Sequence, residues 1–166
     1  MPNYVTNRIT GPATILDRLT RAATEADTPG RNATTTGRVI DFNLLIPEPE
    51  NNPDWHNWRI NHWGTKSNAH TPTITTHYDG TVTIEFYTAW SAPVDIINEL
   101  TLRLPGETLH VQWADEDLGS NIGDVTICDS VIIKDDTPTE RTDEALDYAA
   151  TLLYGQTYAE FKADNA

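Results

Sequence analysis

The amino-acid sequence predicts an α+β fold: an antiparallel sheet with helices packed on one face, extended by an extra C-terminal strand and helix. Two observations carry this prediction. Short Thr- and Ile-rich alternating runs take turns with apolar patterns of helical period. Gly- and Pro-containing breaks then separate these segments at the spacing of a single compact domain.

From Tyr4 to Thr10, polar Tyr4, Thr6, Arg8 and Thr10 alternate with Val5, Asn7 and Ile9, the pattern of a half-buried strand, and Gly11-Pro12 ends it. Pro12 to Ala26 is expected to be a helix, with Ile15, Leu16, Leu19, Ala22 and Ala23 at helical spacing. The Thr-, Gly- and Asn-rich stretch from Thr28 to Gly37 reads as a flexible loop. A short apolar segment, Val39 to Ile46, is stopped by Pro47 and Pro49. Pro53-Asp54-Trp55 opens a short helix toward Trp63, with Gly64 as its terminator.

Strands follow at Thr71–His77 and Thr81–Thr88, joined through Asp79-Gly80, a strong hairpin signal. Pro93 to Leu104 is a helix with Val94, Ile97, Leu100 and Leu104 inward and Pro105-Gly106 beyond its end. Thr108 to Trp113 is a strand, and Asp124 to Ile133 contains another. Pro138 to Leu153 is the final helix, with Ala145, Leu146, Ala149 and Leu152 or Leu153 inward, and the last residues are expected to fray. The order β-α-β-β-α-β is that of a ferredoxin-like sheet. Residues 1–166 thus read as one ferredoxin-like domain, with residues 124–166 a strand-and-helix extension of it.

Composition narrows the function classes. With 38% hydrophobic and 22% charged residues the chain can bury a core without staples, and its one cysteine, Cys128, forms no internal disulfide. Cys128 reads as a small buried hydrophobe. No apolar run is long enough for a membrane span, and Met1 to Thr6 lacks the features of a signal peptide, so the expected location is the cytoplasm. The net charge is −14, and residues 107–166 alone carry −11. Direct nucleic-acid or membrane binding is not expected of such a surface, whereas the acidic half could meet a basic protein. Solubility is the plainer explanation of the same charge.

Four stretches carry a family resemblance. They are Pro2-Asn3-Tyr4-Val5-Thr6-Asn7-Arg8-Ile9, Asp41 to Pro49, Trp58 with Asn61 to Ala69, and Phe86 to Pro93. The Trp63-Gly64-Thr65-Lys66 and Thr88-Ala89-Trp90-Ser91 pieces are the most specific. Over roughly residues 2–123 the chain resembles the YubB-type ferredoxin-like domain family of phages and plasmids. Ser67 stands where members often carry a second aromatic residue. The resemblance implies a ferredoxin-like fold and a mobile-element origin, and it supplies no activity.

The densest candidate site is Trp58, Arg59, Trp63, Thr65, Lys66 and Asn68, with Trp55 on the same helix face and Trp90 brought near by analogy. Aromatic planes beside Arg and Lys suit a flat, anion-bearing ligand such as a nucleotide. The same residues could equally be a core cluster with Arg59 covering it. Among His56, His62, His70, His77 and His110 no metal-ligand spacing appears, so neither metal nor cofactor is expected. Asp115-Glu116-Asp117 could serve acid–base or magnesium chemistry, or form a solvated turn.

Three functions remain open. The first is a non-enzymatic accessory protein of a mobile element that binds a small anionic ligand, with counter-defence as one role. The second is an acidic inhibitor or DNA mimic that binds a host protein. The third is a metal-dependent phosphate-processing enzyme. A homo-oligomer is compatible with each.

Overall fold

A computed structural model of the chain describes residues 3–166, so Pro2 of the opening motif lies outside the described residues. Strand β1 (Tyr4–Gly11) buries Val5, Asn7, Ile9 and Gly11, the face its alternation predicts. It pairs antiparallel with β5 (Val82–Ala89) on one side and β6 (Thr108–Asp115) on the other. β4 (His70–Thr76) flanks β5, and β7 (Gly123–Cys128) and β8 (Val131–Asp135) extend the sheet beyond β6. The six-stranded order β4-β5-β1-β6-β7-β8 contains the ferredoxin-like arrangement, and every pairing is antiparallel.

The crossover between β1 and β4 departs from expectation. The helix foreseen over residues 12–26 is only α1, Ile15–Leu19. At Thr20 the backbone turns extended, and its hydroxyl bonds back to the Leu16 carbonyl at 2.6 Å. Thr20–Ala22 then forms β2, paired with β3 (Arg38–Ile40). Pairing to β3, and the pull of Asp27 and Asp41 on Arg21, outweigh the weak helical periodicity of Ala22 and Ala23. The Thr28–Gly37 stretch is tied down rather than loose: Ala33 is fully buried, and the Thr71 N–H donates to the Arg31 carbonyl at 2.7 Å.

A 3-10 turn (Phe42–Leu44) leads to α2 (Trp55–Trp63), which Gly64 ends in the left-handed conformation. A side chain at Gly64 would also meet the Val94 backbone nitrogen at 3.0 Å. Helix α3 (Val94–Leu102) buries Ile96, Ile97, Leu100 and Thr101. The main core lies between α1–α3 and one face of the sheet, around Ile9, Phe42, Trp63, Ile84, Phe86 and Leu109. Roughly 1.5–3 kcal/mol per large buried side chain makes this cluster the principal source of stability.

The C-terminal extension is richer than the strand and helix expected. Asp129 and Ser130 both adopt positive φ and turn β7 directly into β8, so one anticipated strand is a hairpin. A register shift falls within the β7–β8 pairing, and Val131, Ile132 and Ile133 of β8 are all exposed. Helix α4 (Asp143–Tyr154) starts later than Pro138, capped by Thr142. It packs Ala145, Ala149 and Leu152 against Ala114, on the sheet face opposite α1–α3. The final residues form α5 (Tyr158–Asp164), started by a Thr157–Glu160 capping box, where fraying was expected. No helix among the described residues is long and apolar enough to cross a membrane.

Candidate functional site

The seven residues singled out from the sequence go to different places. Trp63 is fully buried, edge-on to Phe42 and donating its indole N–H to the Ile46 carbonyl at 2.9 Å. Trp58 is half-buried against the same core and stacks on His62 with ring centroids 4.3 Å apart. Arg59 lies over the rings of Trp55 and Trp63 and directs Nε and Nη2 onto one oxygen of Glu48 at 2.9 and 2.7 Å. Its charge is therefore already met. Thr65 is fully buried and donates to the Ala89 carbonyl. Asn68 donates to Asp41 and accepts from the Phe42 and Ala69 backbone N–H groups.

Lys66 and Trp90 form a separate pair: the ammonium sits 3.4 Å from the indole centroid. Trp90 is 52% exposed and holds φ at 70°, a strained value for a bulky residue. Its backbone is fixed from both sides, its N–H by the Asn3 carbonyl and its carbonyl by Asn121 Nδ2. Trp90 is thus the exposed residue of the seven, with the half-buried Lys66 held over it.

The carboxylate run behaves as a structural joint. Asp115 is buried and accepts from Asn3, Asn121 and the Asp117 N–H, and Glu116 accepts from the Tyr4 N–H. Among the described residues no group of three or more His, Cys, Asp or Glu is placed to hold a metal ion. Cys128 is half-buried, and burial followed by the adjacent Asp129 carboxylate holds its thiol above the ordinary value.

A cleft of about 420 Å3 opens between α4 and the sheet face it covers. Carboxylates from two elements and a loop line it: Asp124 from β7, Asp136 just beyond β8, and Glu144 and Asp147 from α4. Its one cation is Arg8, which Glu85 already holds at 2.8 Å. Pro138, Leu152 and the ring of Tyr148 supply an apolar wall. The Tyr148 hydroxyl donates to the Gly123 carbonyl, and burial, then the Asp124 charge, push its phenol well above its ordinary value. Tyr148 therefore stays neutral, and the charge of the cleft comes from the carboxylates. Asp124 also accepts from His110 Nε2 at 2.6 Å and from Gln112. The sequence carries the acidity of residues 107–166 but not this grouping, because the four carboxylates come to line one cleft only through the sheet register and the placement of α4. Asp135 and Glu140, acidic neighbours in sequence, accept from the Thr137 and Asn121 N–H groups, and of the cleft carboxylates Asp136 is held by Lys134 at 3.0 Å and Asp147 accepts from the Tyr158 N–H at 2.8 Å.

No curated protein matches the chain. One similar solved structure is the protein api92 from Yersinia pseudotuberculosis, at 9% identity and a TM-score of 0.50. The likeness covers 58% of this chain and 39% of that one, and it speaks for the fold alone. The family model for the ferredoxin-like domain in Api92-like protein matches residues 63–155, from the end of α2 through the first residue beyond α4. The match passes Asp124 without a break and takes in more than half of the chain, which therefore belongs to the family of Api92-like ferredoxin-like domains.

Proposed function

We propose that this chain is a non-enzymatic binding domain that receives a basic segment of a partner protein in the acidic cleft beside α4. One observation carries the reading: Asp124, Asp136, Glu144 and Asp147 line one cleft whose lining cation, Arg8, is already paired with Glu85, and Glu144 has no side-chain partner among the described residues. A lysine or arginine would lay its aliphatic stem on Pro138 and Leu152 and bring its charge to the carboxylates. The excess negative charge of residues 107–166 would speed the encounter and make it salt-dependent. The resemblance to the YubB-type family supports a mobile-element origin, and a host protein as partner would suit that origin.

Calorimetric titration with an oligo-arginine peptide tests the reading. Joint Glu144→Gln and Asp147→Asn substitution should weaken binding by about tenfold, as expected for losing one or two charge-assisted contacts. Joint Glu25→Gln and Glu50→Gln substitution removes the same net charge at exposed positions far along the chain. If that control weakens binding equally, bulk charge alone is at work and the cleft reading fails.

A second reading, a small anionic ligand, draws on the Lys66–Trp90 pair, where a cation and an exposed indole remain together. Its ligand would stack on Trp90, and Lys66→Ala would remove its binding while leaving the melting temperature unchanged.

A further inference from the structure

A second cavity, also of about 420 Å3, lies where the β2–β3 corner meets the start of β4. It shares no residue with the acidic cleft. Arg21, Arg31 and His70 line it, and no carboxylate does. That is unexpected chemistry in a chain with 25 acidic residues and only 11 Lys and Arg. Arg31 is exposed and has no carboxylate partner among the described residues. Its place is nevertheless set, because its carbonyl accepts from the Thr71 N–H beside His70.

Most polar groups left uncommitted in this lining are donors, while the Thr28 hydroxyl and the His70 ring can both donate and accept. Arg21 gives Nε to Asp41, Nη1 to Asp27 and the Ala22 carbonyl, and one Nη2 hydrogen to Asp27, which leaves a single N–H unspent. Asn32 gives one amide hydrogen to Asp27, and its oxygen accepts from the Thr28 N–H. Asn68 gives one to Asp41, and its oxygen accepts from the Phe42 and Ala69 N–H groups. Each of the three therefore retains one free N–H, and both amide oxygens are occupied. Asp27 and Asp41 hold Arg21 from outside the cavity and do not line it. Ala26, Val39, Ile40 and Ala69 supply a small apolar wall.

His70 completes the lining. It is half-buried, with the Tyr4 ring edge-on at 6.3 Å. Burial first, and the positive charge of Arg31 second, hold its imidazole below the ordinary value, so it is neutral at pH 7.

From this cationic, donor-rich lining we infer that the cavity binds a small oxyanion, a phosphate ester or a carboxylate, between Arg31 and His70 with Arg21, Asn32 and Asn68 as further donors. The volume suits a compact metabolite rather than a polymer. An arriving oxyanion offsets the Arg31 charge and accepts a hydrogen bond from the imidazole. Both effects favour protonated His70.

Following the imidazole resonances of the whole chain during titration with inorganic phosphate, and separately with succinate, tests the inference at constant ionic strength. The expected result is a rise of about one unit in the His70 pKa as one anion saturates the site. His56, His62 and His77 should not move. Arg31→Ala, or Arg31→Gln if the alanine variant disturbs the amide spectrum, should weaken that anion by about tenfold or more. A response to phosphate alone assigns the ligand to phosphate esters, and a response to succinate alone to carboxylates. A His70 titration that neither anion moves, that sodium chloride moves equally, or that stays the same without Arg31 overturns the inference.

Discussion

Trp113 shows how a single residue can dictate its neighbour across the sheet. It lies directly opposite Gly123, and a methyl group added there would come within 2.1 Å of the indole ring. Gly123 has ordinary backbone angles, so the ring and not the backbone demands glycine. Gly123→Ala should cost about 1–3 kcal/mol, the usual range for overpacking, visible as a lower urea midpoint with an unchanged slope. Joint Trp113→Val and Gly123→Ala substitution should recover part of that loss. Such pairings were not legible beforehand, because register is a tertiary property. Trp63 was half legible: the sequence offered core and ligand site as alternatives, and its indole and guanidinium neighbours close on themselves through Ile46 and Glu48. Thr65 looked like a ligand contact because of its motif, yet its hydroxyl is spent on the Ala89 carbonyl, and Asn68 keeps one amide N–H beyond its bonds to Asp41, Phe42 and Ala69.

The β2–β3 corner is the element that sequence periodicity misread, and its chemistry explains why. Arg21 binds Asp27 at 2.7 Å and Asp41 at 2.8 Å, bringing together acids six and twenty residues away from it. The Arg21 guanidinium and the Thr24 N–H hold Asp27 well below its ordinary value. Burial pushes Asp41 upward, but Arg21, Asn68 and Asn43 outweigh it and leave the carboxyl lowered. Both acids thus contribute stability that is fully present above the unfolded value near pH 4 and is lost as pH falls toward the folded values. Urea midpoints measured from about pH 6 down to about pH 2 should fall, and Asp27→Asn should remove part of that slope. Helix α5 makes the converse case. Its Thr157–Glu160 cap was present in the sequence as a Thr followed three residues later by Glu, and proximity to the chain end masked it.

For the molecule as a whole, the β4–β5 hairpin and the presence of α2 and α3 followed from turn and period signals such as Asp79-Gly80 and Pro93. The choice of sheet face for α4 did not, since helical spacing shows which side is apolar but not what it covers. That face decides where the acidic half of the chain forms a cleft. Strand β8 is one of the two edge strands of the sheet, and Val131, Ile132 and Ile133 leave it sticky as well as open. The shifted register disrupts the regular ladder that another chain would extend. Colloidal repulsion supplies the second safeguard: copies carrying −14 each keep apart at low salt. Light scattering should therefore report monomer at low ionic strength and growing self-association as salt is raised toward about 1 M, where screening shrinks to about 3 Å. Replacing Ile132 with lysine should abolish that growth. The acidity proposed to draw a basic partner would then also be what keeps this domain from adding strands to itself.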